Sequence, residues 1–213
     1  MITLLIADDH AIFREGLRQI LEDVPDMVVS GEASSGQEVL EKVSKNDYDL
    51  LLLDIAMPGL SGLETLKLLK SQKPKLRVLV LSMYPEEQYA VRAIKAGAYG
   101  YITKASASEE LIGAIRKISG GGRYISASIA EKLLFNLDPE PDRPLHERLS
   151  DREYQVLCLI ARGRTVGEIA EELCLSVKTV STHRTHILEK MRLKSNAELT
   201  NYALKLGLVC LTD

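Results

Sequence analysis

Residues 50–59 read Leu50-Leu51-Leu52-Leu53-Asp54-Ile55-Ala56-Met57-Pro58-Gly59. Four consecutive leucines cannot alternate between a core and water. A strand built from them must be buried on both faces, which is the condition of a parallel sheet covered by helices. The carboxylate that follows then lies at the strand's carboxyl end, where the loops of a doubly wound sheet enclose a ligand crevice.

The chain around this stretch repeats the same pattern. Short β-branched or apolar runs predict five strands at Ile2–Ala7, Met27–Ala33, Asp49–Asp54, Arg77–Ser82 and Tyr99–Thr103. Helical periodicity places helices between and after them at Ala11–Asp23, Gly36–Lys45, Leu63–Gln72, Glu86–Ala96 and Ser108–Ser119. The expected fold is α/β, a five-stranded parallel doubly wound (flavodoxin-like) domain over residues 1–119. Gly120-Gly121-Gly122 ends it, because three glycines are costly to hold in a helix or strand. A short helix over Ser128–Phe135 and a proline-rich, charged stretch from Asp138 to Pro144 then read as a linker over 120–147.

From Ser150 onward only helical periodicity remains, predicting a small all-α four-helix domain over 148–213. Ser150-Asp151-Arg152-Glu153 and Thr165-Val166-Gly167-Glu168 are capping boxes that open its first two helices. A tight turn at Cys174-Leu175-Ser176 leads to a third helix from Val177 to about Met191. A fourth runs from about Ala197 to Leu206, closed by Gly207. A short second helix, a turn and a third helix are the elements of a helix-turn-helix.

The 213 residues, 46% hydrophobic and 27% charged, fit a globular protein of two domains. No apolar run approaches the roughly 18 residues needed to cross a bilayer, and Met1–Ile6 runs at once into acidic residues, so the expected location is the cytoplasm. Cys158, Cys174 and Cys210 lack metal-ligand spacing and read as small core residues. The net charge of −3 is unevenly divided. Residues 1–147 carry 17 basic and 22 acidic side chains, whereas residues 148–213 carry 10 and 8. Only the second half favours a polyanion.

Polar residues converge on the predicted carboxyl edge of the sheet: Asp8 and Asp9 after the first strand, Asp54 at the third, Ser82 at the fourth and Lys104 after the fifth. Three carboxylates so placed repel one another unless a cation joins them, and a hard divalent ion such as Mg²⁺ suits oxygen ligands. The set fits phosphoryl transfer, with Asp54 as nucleophile and phosphoacceptor. Asp9, Asp54 and the Ala56 backbone carbonyl would hold the metal, Asp8 would join directly or through water, Lys104 would offset phosphoryl charge and Ser82 would donate to a phosphate oxygen. An aspartyl-phosphatase enzyme would use Asp54 similarly, but it wants a second carboxylate two residues later, where Ala56 stands.

In the third helix of the second domain, Val180, Ile187, Leu188 and Met191 form the inward stripe. Lys178, Ser181, Thr182 and Thr185 are left on a face fit for a major groove of double-stranded DNA. Thr179 and Arg184 extend that polar surface, while Lys190 and Lys194 are placed to meet phosphates.

Residues 1–119 resemble the receiver domain of two-component response regulators through Asp8-Asp9, Asp54-Ile55-Ala56-Met57-Pro58-Gly59, Ser82 and Lys104. Residues 148–212 look like a LuxR-type helix-turn-helix through Leu149-Ser150-Asp151-Arg152-Glu153, Glu168-Ile169-Ala170 and Lys178-Thr179-Val180-Ser181-Thr182-His183. Together they resemble the NarL/FixJ family. The resemblance implies a sensor histidine kinase as phosphodonor, Ser82 turning towards the aspartyl phosphate, and Tyr101 turning inward to signal the change. It also implies that the last helix pairs two subunits as a homodimer on DNA. Ser82 stands where threonine is commoner, and Ala105 where proline often follows the lysine. The chain is then expected to act as a phosphorylation-switched transcription regulator. A phosphorylation-independent DNA binder with a receiver used for dimerisation is the alternative.

Overall fold

The computed structural model describes residues 1–106, 108–135 and 144–209. Asp138–Arg143, most of the proline-rich stretch of the expected linker, and Cys210 lie outside the described residues. The chain divides into two compact units, Met1–Phe135 and Asn136–Asp213.

The first unit alternates β1 (Ile2–Ala7), α1 (Ala11–Glu22), β2 (Met27–Ala33), α2 (Gly36–Lys45), β3 (Leu50–Asp54), α3 (Gly62–Gln72), β4 (Arg77–Ser82), α4 (Glu86–Lys95), β5 (Gly100–Thr103) and α5 (Ser108–Ser119). All strand pairs are parallel, in the order β2-β1-β3-β4-β5. The leucines of β3 are fully buried at the centre of the sheet, whereas β2 on the edge alternates between buried and exposed positions. Asp49, read as the first residue of β3, instead caps the neighbouring strand. Its Oδ2 accepts from the Thr3 amide at 2.8 Å and the Thr3 hydroxyl at 2.7 Å.

The loop after Asp54 is fixed by its contact with the start of α3. Gly62 donates its N–H to the Ile55 carbonyl at 3.0 Å, and a Cβ on Gly62 would lie 2.0 Å from the Asp54 carbonyl oxygen. Ser61 and Glu64 form a capping box there that the sequence reading did not single out.

The first unit extends past residue 119. Gly121, at φ +92°, lets the chain turn back, and the Tyr124 N–H then donates to the Tyr99 carbonyl at 2.9 Å, bridging to Gly100 at the free edge of β5. Helix α6 (Ala127–Phe135) packs against α4. The short helix assigned to the linker is therefore part of the first compact unit, because its apolar side, including the buried Ile129, finds a surface there.

The second unit has a 3₁₀ turn at Leu145–Arg148, then α7 (Asp151–Ala161), α8 (Val166–Glu172), α9 (Val177–Met191) and α10 (Asn196–Lys205). Both expected capping boxes form, Ser150 with Glu153 and Thr165 with Glu168. Helix α7 touches α8, α9 and α10. Glu153 serves α7 twice: it caps the amino terminus, and its two carboxylate oxygens accept from Lys190 Nζ of α9 at 2.8 and 2.7 Å. Burial raises the Glu153 pKa, but Lys190 and Ser150 outweigh it and hold the carboxyl below its usual range.

Cys158 is buried as expected, but Cys174 is exposed. It occupies the turn between α8 and α9 at φ +50°, where the geometry of the turn and not core packing decides its environment.

Two predictions follow from these contacts. Gly62→Ala should destabilise the first unit by about 1–3 kcal/mol, since the added methyl meets backbone that cannot give way. An unchanged thermal midpoint would show that the Asp54 loop is not clamped at this point. Glu153→Gln retains a capping side chain but removes the charge opposite Lys190, and should cost the second unit roughly 0.5–1 kcal/mol at neutral pH. Because the folded carboxyl is depressed, wild type holds this advantage above the ordinary carboxylate range. It should lose it as pH falls below about 4. Urea unfolding at both pH values reads the gap, and a gap independent of pH would contradict the ion-pair account.

Candidate metal centre and nucleic-acid interface

Asp54 ends β3 with its side chain fully buried. Its Oδ2 accepts from Lys104 Nζ at 2.7 Å and its Oδ1 from the Ala56 amide at 3.2 Å. Lys104 arrives from the loop after β5, where its amide donates to the Ser82 carbonyl at 2.7 Å. Its ammonium also lies 2.5 Å from Asp8 Oδ2, an ion pair without hydrogen-bond geometry, and 4.6 Å from the centre of the Phe13 ring. Burial pushes the Asp54 carboxyl up, with the Asp8 charge adding to it and Lys104 only partly opposing. For Lys104, burial works against the charge, but the facing carboxylates prevail and hold its pKa above the usual lysine value.

The carboxylates form an acidic nest around this lysine. Asp8 is buried, and its Oδ1 accepts from the His10 amide at 2.9 Å. Asp8 Oδ2 and Asp9 Oδ1 are buried atoms that accept no hydrogen bond from the described residues. One lysine cannot neutralise three carboxylates, and the negative charge left over is what a hard cation would offset. Asp8, Asp9, His10 and Asp54 each offer a ligand atom, all within 4.8 Å of one another, so the residues are compatible with Mg²⁺. His10 was not among the sequence candidates. Its only sequence signal is adjacency to the acidic pair.

Ser82 and Tyr101 meet through one backbone segment. The buried Ser82 hydroxyl accepts from the Tyr84 amide at 3.1 Å, and the Tyr101 hydroxyl donates to the Tyr84 carbonyl at 2.8 Å. Tyr101 is turned inward, and burial raises its pKa well above the ordinary tyrosine value. The Tyr84 ring packs at a tilt of 35° against Tyr89 of α4, centroids 4.9 Å apart.

In the second unit, α9 buries Val180, Ile187 and Met191 and exposes Lys178, Ser181, Thr182 and Thr185. The Thr182 and Thr185 hydroxyls donate to the carbonyls of Lys178 and Ser181 at 3.0 and 3.1 Å, leaving oxygen lone pairs outward. Thr179 is half-buried, its Oγ1 2.7 Å from the Ser176 hydroxyl that caps the helix. Two of the expected cations are engaged within the domain: Arg184 Nε donates to Asn196 Oδ1 at 2.6 Å, and Lys190 is held by Glu153. Lys194 is exposed, with its amide tied to Glu198.

Comparison with known proteins agrees with this division. The profile of the "Response regulator receiver domain" family matches residues 4–116, and that of "Bacterial regulatory proteins, luxR family" matches residues 147–203. Response regulator UvrY of Escherichia coli K12 is 36% identical over 209 residues, covering 98% of this chain and 96% of its own length. Response regulator GacA of Pseudomonas aeruginosa is 40% identical over 211 residues, covering 98% of each. Among solved structures, RcsB of Salmonella enterica serovar Typhimurium, bound to promoter rprA in the presence of phosphomimetic BeF3-, superposes with a TM-score of 0.64. It has 29% identity and covers 98% of this chain and 100% of that one. The chain belongs to the NarL/FixJ family of two-component response regulators, with an amino-terminal receiver and a LuxR-type DNA-binding domain.

Proposed function

We propose that a sensor histidine kinase phosphorylates this protein on Asp54, and that the phosphorylated form binds promoter DNA as a homodimer to control transcription in the cytoplasm. The observation that carries the reading is the buried Asp54–Lys104–Asp8 cluster beside carboxylate oxygens that accept no hydrogen bond. Asp8, Asp9 and Asp54, with the Ala56 carbonyl, would hold Mg²⁺. When bound, Mg²⁺ supplies positive charge against the phosphoryl oxygens.

The Asp54 carboxylate attacks the phosphorus of a phosphohistidine. A P–O bond forms as the P–N bond breaks, and the imidazole leaves with the electron pair. Lys104 must then exchange its contact with Asp54 for one with a phosphoryl oxygen. The Ser82 hydroxyl accepts from the Tyr84 amide, so a hydroxyl drawn towards the phosphoryl group gives up that amide. The same segment carries the carbonyl that holds Tyr101. With no carboxylate at Ala56, the protein's chemistry is its own phosphorylation and dephosphorylation, not turnover of a substrate.

At the other end, Lys178, Thr179, Ser181, Thr182 and Thr185 are the residues proposed to meet DNA, with Lys194 on a phosphate. The internal partners of Arg184 and Lys190 make them positioning residues first. The receiver over 1–119 and the DNA-binding domain over 148–213 would communicate through the segment between them. A coupling of about 1–3 kcal/mol changes affinity roughly 5–150-fold.

Selection of bound fragments from genomic DNA, with and without beryllofluoride and Mg²⁺, tests the switch. Paired half-sites should be enriched in the treated wild type and lost in Asp54→Asn. Equal enrichment in all samples would leave a phosphorylation-independent DNA binder. Changing Lys178 or Thr182 to Ala should weaken binding by about 1–3 kcal/mol while leaving phosphorylation intact. Loss of both activities together would contradict two separable modules.

A further inference from the structure

The imidazole of His10 belongs to the cation site but has no part in the phosphoryl chemistry above. It sits at the amino-terminal cap position of α1, with extended backbone angles (φ −84°, ψ 104°), yet makes no side-chain capping bond. Its amide is used instead, donating to Asp8 Oδ1 and fixing the residue against the acidic nest. The ring is turned towards the acidic cluster, where Asp8 and Asp9 are its partners. Its Nδ1 lies 2.9 Å from Asp9 Oδ1 and 3.3 Å from Asp8 Oδ1, facing carboxylates.

The distances lie slightly above what a metal would demand. Two ligand atoms, each about 2.1 Å from one ion, can be no more than roughly 4.2 Å apart. The donor atoms of Asp8, Asp9, His10 and Asp54 already lie within 4.8 Å of one another, so a contraction of a few tenths of an ångström brings them into range. The His10 side chain is 66% exposed and can turn without disturbing the core. Asp8, by contrast, is only 1% exposed, and its Oδ2 has an ion-pair neighbour but no hydrogen bond. Rigid oxygens and one adjustable nitrogen thus converge on one point.

We propose that His10 is a further protein ligand of this site, one that lets it take imidazole-preferring divalent ions such as Co²⁺, Ni²⁺ or Zn²⁺ in addition to Mg²⁺. The inference rests on the divalent-cation reading of the Asp8, Asp9 and Asp54 cluster. Carboxylates, carbonyls and water suit Mg²⁺, which gains little from an imidazole. The later first-row ions bind nitrogen more strongly, so a mixed nitrogen and oxygen set shifts the selectivity of the site towards them. With the proton on Nε2, the Nδ1 lone pair is the donor.

The test titrates Co²⁺ and, separately, Mg²⁺ into the full-length protein and its His10→Ala variant, read by calorimetry and by the visible absorption of bound Co²⁺. Only Co²⁺ that excess Mg²⁺ displaces is counted, which removes binding at the three other histidines from the measurement. Wild type should prefer Co²⁺ over Mg²⁺, and His10→Ala should reduce that preference about tenfold or more, with a change in the Co²⁺ spectrum reporting loss of nitrogen. An equal preference and an identical spectrum in the two proteins would overturn the role of His10 and leave the Mg²⁺ site standing. Mg²⁺ binding without any Mg²⁺-displaceable Co²⁺ in wild type would likewise overturn the proposal, and absence of Mg²⁺ binding in wild type would overturn the cation site itself.

Discussion

A single buried ammonium opposed by more carboxylate charge than it can neutralise governs the receiver. Lys104 contacts Asp54 and Asp8 in a place almost closed to solvent. Taking such charges out of water is expensive, and a buried pair is a weak source of stability. Its position at the carboxyl edge of the sheet therefore needs support from elsewhere. That support comes from the leucines of β3, which bury the strand on both faces and deliver Asp54 to the edge, and from Gly62, whose missing side chain lets α3 start against the Asp54 carbonyl. The residual negative charge is what a bound divalent cation would offset.

The helical unit treats its central charge differently. Glu153 is buried too, but every interaction it makes is local to the fold: the cap of α7, the ammonium of Lys190 and the approach of His186 at 3.9 Å. The pair crosses from α7 to α9 and fixes the helix that presents Lys178, Ser181, Thr182 and Thr185. Lys190 thus orients the candidate DNA surface, on which Lys178 and the hydroxyls of Ser181, Thr182 and Thr185 stand exposed.

Much of this was legible in the sequence wherever a residue's role follows from its immediate neighbours. The leucine run fixes the burial of β3, and the Ser-x-x-Glu and Thr-x-x-Glu spacings place two helix starts correctly. What was missed depends on contacts distant in the chain. Nothing near Lys190 names Glu153, 37 residues earlier, as its partner. The extent of the first unit depends on Tyr124 finding the edge of β5, and the exposure of Cys174 on a left-handed turn that apolar neighbours disguise. His10 escaped notice because one exposed histidine carries no periodicity. Only the folded loop turns its ring towards the acidic pair.

The geometry around Tyr101 constrains how the receiver can report its state. Tyr101 lines a cleft together with Glu86, Glu110, Tyr124 and Ser126. Within it the Tyr124 hydroxyl donates to Glu110 of α5 at 3.0 Å, and the Ser126 hydroxyl to Glu86 in the first turn of α4. The chain leaving α5 is thereby fastened to both helices that flank β5. Ser82, Tyr84 and Tyr101 are joined through the Tyr84 backbone, so displacement of that backbone moves the wall of this cleft. Well-packed interiors respond to such a change by switching between discrete arrangements and do not deform continuously. A rearrangement that began at Asp54 would thus find a path to the segment leading to α6 within the first unit.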